Sequence, residues 1–246
     1  MKIHSIKTHR IEENESIFEI LDRYVVSLAE NSVLAITSKI LSLTQGRTVD
    51  KSRVDKYELI RQEADAILET NHNPYGFHLT LKNGILIPSA GIDESNVDNV
   101  YVLYPENIQL AAAEIWQHLR AKHKIQNLGI LITDSHTTIM RRGVTGIALG
   151  WCGFEPLYSY IGKSDLYENP LRVTQLNIID ALATSAVFVM GEGNEQTPLA
   201  ILSEIPKIKF SDHVPTPEEE MSISISMEDD LYAPLLQSAK WVKIQP

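Results

Sequence analysis

A single cysteine, Cys152, is present in the sequence. No intramolecular disulfide can form and a cysteine-built zinc site is excluded, as suits a reducing compartment. Basic residues are outnumbered: 22 lysines and arginines stand against 32 aspartates and glutamates, for a formal net charge of −10. Affinity for DNA or RNA comes from clustered cations that release condensed counterions, so this balance argues against a nucleic-acid partner. No apolar run approaches the roughly 20 residues needed to cross a bilayer, and residues 1–16 lack the apolar stretch of a signal peptide. A soluble, cytoplasmic protein with no membrane partner is expected. No Walker A loop, GxGxxG fingerprint or GxSxG elbow occurs. The eight histidines follow no metal-ligand spacing. Cys152, among Trp151, Gly153 and Phe154, reads as a packed thiol rather than a nucleophile.

What is present is an ordinary globular composition. Hydrophobic residues make up 43% and charged residues 22% of 246 positions. That is enough to bury a core as one domain over residues 1–246, or as two closely fused lobes. Strand-like and helical apolar periods intermingle along the chain. Strands are expected at residues 2–8, 33–37, 101–104, 128–133, 144–149 and 199–203. Amphipathic helices are expected at 17–28, capped by Asn14 or Ser16, at 59–68 and at 108–119. Residues 78–89 read as a hairpin with Asn83-Gly84 as a type I′ turn. An alanine-rich helix at 174–190 ends at Gly191, and residues 212–227 read as a loosely ordered connection. The class is α/β or α+β.

Two aspartates stand out for what precedes them. Asp93 follows Ala90-Gly91-Ile92 just after the hairpin, and Asp134 sits at a polar turn directly after the apolar run ending at Thr133. A carboxylate at the end of a buried strand is rigidly presented where open sheets collect ligands. Carboxylates and hydroxyls, Ser135 among them, suit the hard ions Mg²⁺ and Mn²⁺. The plainer alternative is that both aspartates close Asx-turns or cap helices. Gly191 and Gly193 flank Glu192; they can let phosphates approach the backbone, or Gly191 can simply cap the helix. Arg141 and Arg142 form a pair able to grip a carboxylate or phosphate bidentately, or an exposed surface pair.

Together these stretches resemble the coenzyme F420-0:L-glutamate ligases, the γ-glutamyl ligase family. The likeness runs from about Ile36 to Ile201, with six motifs in the family's order. They are Thr37-Ser38-Lys39 with Gln45-Gly46-Arg47, then Gly91-Ile92-Asp93-Glu94-Ser95-Asn96, then Ile132-Thr133-Asp134-Ser135. Arg141-Arg142-Gly143 follows, then Ile161-Gly162-Lys163-Ser164-Asp165-Leu166-Tyr167, and last Met190-Gly191-Glu192-Gly193. The resemblance implies that Asp93, Asp134, Ser135 and Glu192 bind divalent metal, Mg²⁺ or Mn²⁺. It implies that Ser38, Lys39, Asn96 and the 190–197 loop, with Met190, Gly191, Gly193 and Thr197, contact a nucleotide, GTP or ATP. The implied fold is α+β, with mixed sheets and packed helices in an intertwined homodimer.

The chain departs from the family pattern at several places, among them Ser135, which replaces a threonine and keeps the hydroxyl. Leu43 stands where the family carries a nucleotide-binding lysine, and Glu168 replaces a glycine. The acidic stretch expected after Pro105 is absent. Residues 136–139 replace Gly-Arg-Pro-Trp, removing a cation suited to a phosphodiester and an aromatic suited to stacking. Residues 134–137, 141–150 and 191–198 look closer to a folate-metabolism γ-glutamate ligase branch. The implied reaction joins L-glutamate to a carboxylate of folate or of F420-0 through an acyl phosphate, and folate is the preferred expectation. Arg141 or Arg142 would grip the acceptor carboxylate or the transferred phosphate. A metal-dependent phosphotransferase or phosphohydrolase and a non-catalytic nucleotide-binding homologue are the rival readings.

Overall fold

The computed structural model describes residues 1–69 and 75–244. In chain order the first half comprises β1 (Lys2–Ile6), α1 (Ile17–Tyr24), β2 (Ser32–Thr37), α2 (Ser38–Thr44), β3 (Thr48–Asp50), α3 (Lys56–Glu63), β4 (Ala66–Leu68), β5 (Leu79–Lys82), β6 (Ile85–Pro88), β7 (Val100–Val102) and α4 (Ile108–His123). The second half comprises β8 (Leu128–Thr137), β9 (Val144–Cys152), β10 (Leu157–Ser159), β11 (Gln175–Asn177), α5 (Ile178–Met190), β12 (Leu199–Ser203), α6 (Pro217–Met221), α7 (Ala233–Ser238) and β13 (Trp241–Lys243). The class is mixed α+β. No helix among the described residues is long and apolar enough to cross a membrane.

A five-stranded sheet in the order β1-β12-β2-β8-β9 organises the molecule. β2 and β8 run parallel, whereas the other neighbouring strands are antiparallel. Both faces of the central strands are covered, which is why they read as unbroken apolar runs. Leu34, Ile36, Ile130 and Ile132 pack on one side with Ile115, Trp116 and Leu119 of α4. Val33, Ala35 and Leu131 face the alanines of α5 on the other. α5 lies so close that a Cβ on Gly146 of β9 would stand 2.3 Å from the Ala183 carbonyl oxygen. A second sheet, β13-β4-β5-β6, carries a smaller core around Leu59, Ile60, Ile67 and Leu103.

Several expectations hold. Ser16 caps α1 by accepting from Glu19 N–H. Asn83 and Gly84 take φ of 51° and 74°, the positive values a type I′ turn demands. Others are corrected. The helix expected over 59–68 stops at Glu63, and Ala66–Leu68 is strand β4, paired with β5 and β13. A three-residue apolar run fits either period, so its pairing partners decide. The helix expected from residue 174 begins at Ile178 with Asn177 as its cap, because Gln175–Asn177 pairs with β10. Residues 212–227 contain α6, started by a Thr216/Glu219 capping box. The polar turn expected at Asp134 is also corrected: β8 continues through Asp134 to Thr137, paired with β9, after a bulge between Ile132 and Thr133.

Candidate active site

Thr37 and Thr133 pair across β2 and β8, so these two parallel strands deliver the next residues, Ser38 and Asp134, side by side. The Ser38 side chain hydrogen-bonds to the Asp134 carboxylate, and Ser135 N–H donates to Asp134 Oδ1 at 2.7 Å. Burial pushes Asp134 up to about 6 and the nearby Asp93 charge adds to the rise; these two hydrogen bonds and Lys39 only partly offset it.

Asp93 arrives from the turn after β6. Gly91, at φ 72°, allows that turn to pass the Tyr104 ring, which would stand 2.6 Å from a Cβ at this position. Asp93 is then fixed by reciprocal backbone hydrogen bonds with Val102. Its Oδ2 lies 2.6 Å from Lys39 Nζ, and its Oδ1 accepts from Ser95 N–H at 2.8 Å. Burial pulls Asp93 upward, but the Lys39 charge and hydrogen bond, with the Ser95 contacts, hold it below the usual carboxylate range. Lys39 also donates to Ser95 O at 3.0 Å and Ser95 Oγ at 2.9 Å. Asp93 thus does close a local turn, whereas Asp134 lies within β8, and both line a shared cavity of about 480 Å³.

The loop after α5 forms the facing wall. Asn96 Nδ2 donates to Gly193 O at 2.9 Å, and Thr197 Oγ1 donates to Met190 O. Thr37 N–H donates to Pro198 O at 3.0 Å. Glu192 is raised by partial burial and by the charges of Asp93 and Glu195, against Lys39 and a hydrogen bond from Ser135. Gly191, at φ 81°, does end α5, and a Cβ there would meet the Glu195 carboxylate at 2.7 Å. Ser38, Lys39, Asp93, Asn96, Asp134, Ser135, Met190, Gly191, Glu192, Gly193 and Thr197 therefore all line one cavity.

Arg141 and Arg142 do not. They stand exposed on the loop joining β8 to β9, outside the cavity lining. The physical reason is the continuation of β8: three residues beyond Asp134 carry the chain about 10 Å further. Residues 137–139 are likewise exposed and outside the lining, so their departure from Gly-Arg-Pro-Trp does not reshape this cavity within one chain.

Thr8, His9, Arg10 and Ile11 line the cavity although the sequence did not single them out. They carry no motif; the pairing of β1 with β12 brings them there, and Thr8 N–H donates to Gln196 O at 2.9 Å. Both His9 ring nitrogens are occupied, one by Tyr24 Oη and one by Glu15, each at 2.8 Å.

The donor chemistry of Asp93, Asp134, Ser135 and Glu192 is that of a hard-cation site. Among the described residues, however, no three His, Cys, Asp or Glu side chains converge at metal-holding geometry. The ammonium of Lys39 stands on Asp93 instead. The oxygen set fits a divalent ion in kind, with Lys39 having to release Asp93.

The family model of the F420-0:gamma-glutamyl ligases matches residues 5–204. A coenzyme F420:L-glutamate ligase of Methanopyrus kandleri is 31% identical over 193 residues, covering 71% of this chain and 75% of the relative. The enzyme of the same name from Methanococcus maripaludis strain S2 is 30% identical over 205 residues, 82% of this chain and 80% of its own. That of Methanosarcina mazei is 39% identical over a shorter 115 residues, 46% of this chain and 45% of its own. The chain belongs to the F420-0:gamma-glutamyl ligase family.

Proposed function

We propose that this protein is an amide-bond-forming ligase that joins L-glutamate to an acceptor carboxylate at the expense of a nucleoside triphosphate. The observation that carries the reading is the meeting of Asp93, Asp134, Ser135, Glu192 and Lys39 on one cavity. A free carboxylate does not condense with an amine at neutral pH, because oxide is too poor a leaving group. Moving the nucleotide's γ-phosphoryl group onto the acceptor carboxylate makes an acyl phosphate, which the glutamate amine attacks with release of phosphate. Such a reaction asks little covalent work of the protein; positioning and charge neutralisation dominate.

Asp93, Asp134, Ser135 and Glu192 would hold the divalent cation, Mg²⁺ or Mn²⁺, which when bound supplies charge neutralisation at the phosphates. Ser38 and the Ser135 N–H orient Asp134. Lys39, released from Asp93, is the cavity cation suited to a phosphate oxygen. Asn96 fixes the 190–197 loop, whose glycines let a phosphate chain approach backbone N–H groups. Arg141 and Arg142 have no part in this machinery within one chain.

The family's description favours F420-0 as acceptor, with GTP or ATP as the nucleotide. Folate is the second reading; the sequence stretches shared with the folate-metabolism branch, 141–150 and 191–198, favour it. We also propose a homodimer. Leu166 is 97% and Phe188 88% exposed, and Tyr167 and Val173 are similarly bare, a surface that a second copy would cover. The reading is tested by incubating protein, glutamate, Mg²⁺ or Mn²⁺ and each nucleotide with each acceptor. Phosphate release that requires both glutamate and acceptor supports the ligase. Release without either supports the phosphohydrolase, and nucleotide binding without release supports the non-catalytic homologue.

A further inference from the structure

A second cavity, of about 620 Å³, runs along the outer edge of β9, between the β5–β6 hairpin, the start of α5 and the segment 220–236. One cross-strand pair links its lining to that of the first. Asp134 and Ile147 are direct cross-strand partners, so their side chains leave the same face of the sheet, about 5 Å apart at Cβ. Asp134 lines the first cavity and Ile147 the second.

The chemistry of the two cavities differs. Two polar side chains of the second, Gln109 and Asp180, hold the β9 edge. Gln109 Nε2 donates to Trp151 O at 2.6 Å and its Oε1 accepts from Trp151 N–H at 3.3 Å. Asp180 Oδ1 accepts from Ala148 N–H at 2.8 Å, while its Oδ2 accepts from Asn177 at 2.6 Å. The remaining wall is largely apolar, with Ile85, Leu149, Ile179 and Ile225. Among the described residues no lysine, arginine or histidine lines it, and its formal charges are the acids Asp180, Glu220 and Asp230. A triphosphate or glutamate would meet repulsion there, whereas the apolar wall suits an apolar body that carries no negative charge.

A reaction that joins three substrates needs room for all of them. The first cavity, with its carboxylates, Lys39 and glycine-flanked loop, suits a nucleotide and cation. We propose that the cavity along β9 receives the uncharged heteroaromatic ring system of the acceptor, whose carboxylate end passes Ile147 to reach Asp134. The proposal rests on the ligase reading above and adds where the acceptor sits and which part of it is recognised. Acidic groups around the ring favour one that presents N–H donors.

The test fills the cavity from two sides. Ile85→Trp narrows it from the hairpin; Ile225→Trp narrows it from the covering segment, where Ile225 is 60% exposed and tolerant of size. Binding of F420-0 and of folate is measured by equilibrium dialysis, alongside binding of GTP and ATP with Mg²⁺. The expected result is that Kd for the acceptor the native protein binds rises about tenfold in both variants, while nucleotide Kd stays within twofold. Unchanged acceptor Kd in both, nucleotide Kd rising in step, or no acceptor binding by the native protein would each overturn the placement. Because binding is read without turnover, failure of the ligase reading shows separately, as intact acceptor binding with no glutamyl product.

Discussion

Asp134 is where the demands of folding and of the proposed chemistry oppose each other. Its carboxyl titrates near 4 in an unfolded chain and is pushed up to about 6 in the fold. A raised carboxylate stabilises the fold below the unfolded value, and that contribution is lost as pH rises from about 4 through about 6. Asp134→Asn removes the charge but keeps an oxygen to accept from Ser135 N–H. In metal-free buffer at pH 8 the variant should therefore be more stable than the native protein, by on the order of 1–3 kcal/mol. Below pH 4 the gain should vanish. Calorimetry across that range checks it, and a variant less stable at pH 8 would contradict the cause assigned here. The same change should lower turnover at least about a hundredfold, and Asp93→Asn added to it should cost little more, because one missing ligand already disables the set.

At this scale the sequence was informative about identity and poor about placement. Asp93, Asp134 and Glu192 were legible because each sits beside glycine or a strand end in a recognisable string. The pairing of Lys39 with Asp93 and the place of residues 8–11 were not, since both depend on which distant strands come together. Arg141 and Arg142 lie outside the cavity for the converse reason: proximity in sequence to Asp134 became distance once the strand continued.

Among the elements, the contact of α5 on β9 is close and directly testable. The helix backbone rests directly on Gly146, and Thr184 Oγ1 donates to Gly146 O at 2.9 Å. Gly146→Ala would press a methyl group against backbone that has no side chain to move, which costs roughly 1–3 kcal/mol. A drop in Tm of several degrees is the expected reading, together with weaker nucleotide binding, because α5 carries the 190–197 loop at its end. Thr216→Ala makes the contrast. It removes the capping box of α6, costs about 1 kcal/mol at most and should leave nucleotide affinity unchanged. The central strands were legible in the sequence because both faces are apolar; β4 and β11 were not, since three residues carry no period of their own. The continuation of β8 past Asp134 was hidden by its polar residues, which there face a cavity and solvent rather than a core.

For the whole molecule, the Asp134–Ile147 pair between the two cavities gives the sheet edge its proposed purpose, and the exposed apolar residues of 160–177 and α5 give the proposed homodimer a surface. Light scattering after size exclusion should return twice the 27.7 kDa chain mass; Phe188→Glu should shift it towards one chain. A native protein that runs as a monomer at micromolar concentration would remove the dimer from the account. The α+β class was legible from the mixture of periods, whereas sheet order and the crossing of β1 to β12 depend on long-range pairing that no local pattern encodes.

The central claim is that this cavity makes an amide bond to glutamate. The most direct measurement is mass spectrometry of the acceptor after incubation with L-glutamate, Mn²⁺ or Mg²⁺ and GTP or ATP, run with the native protein and with Asp134→Asn. The account predicts F420-0 or folate heavier by at least one glutamyl residue, with one phosphate released per bond, in the native reaction alone. Nucleotide hydrolysed to the same extent with neither acceptor modified would contradict it.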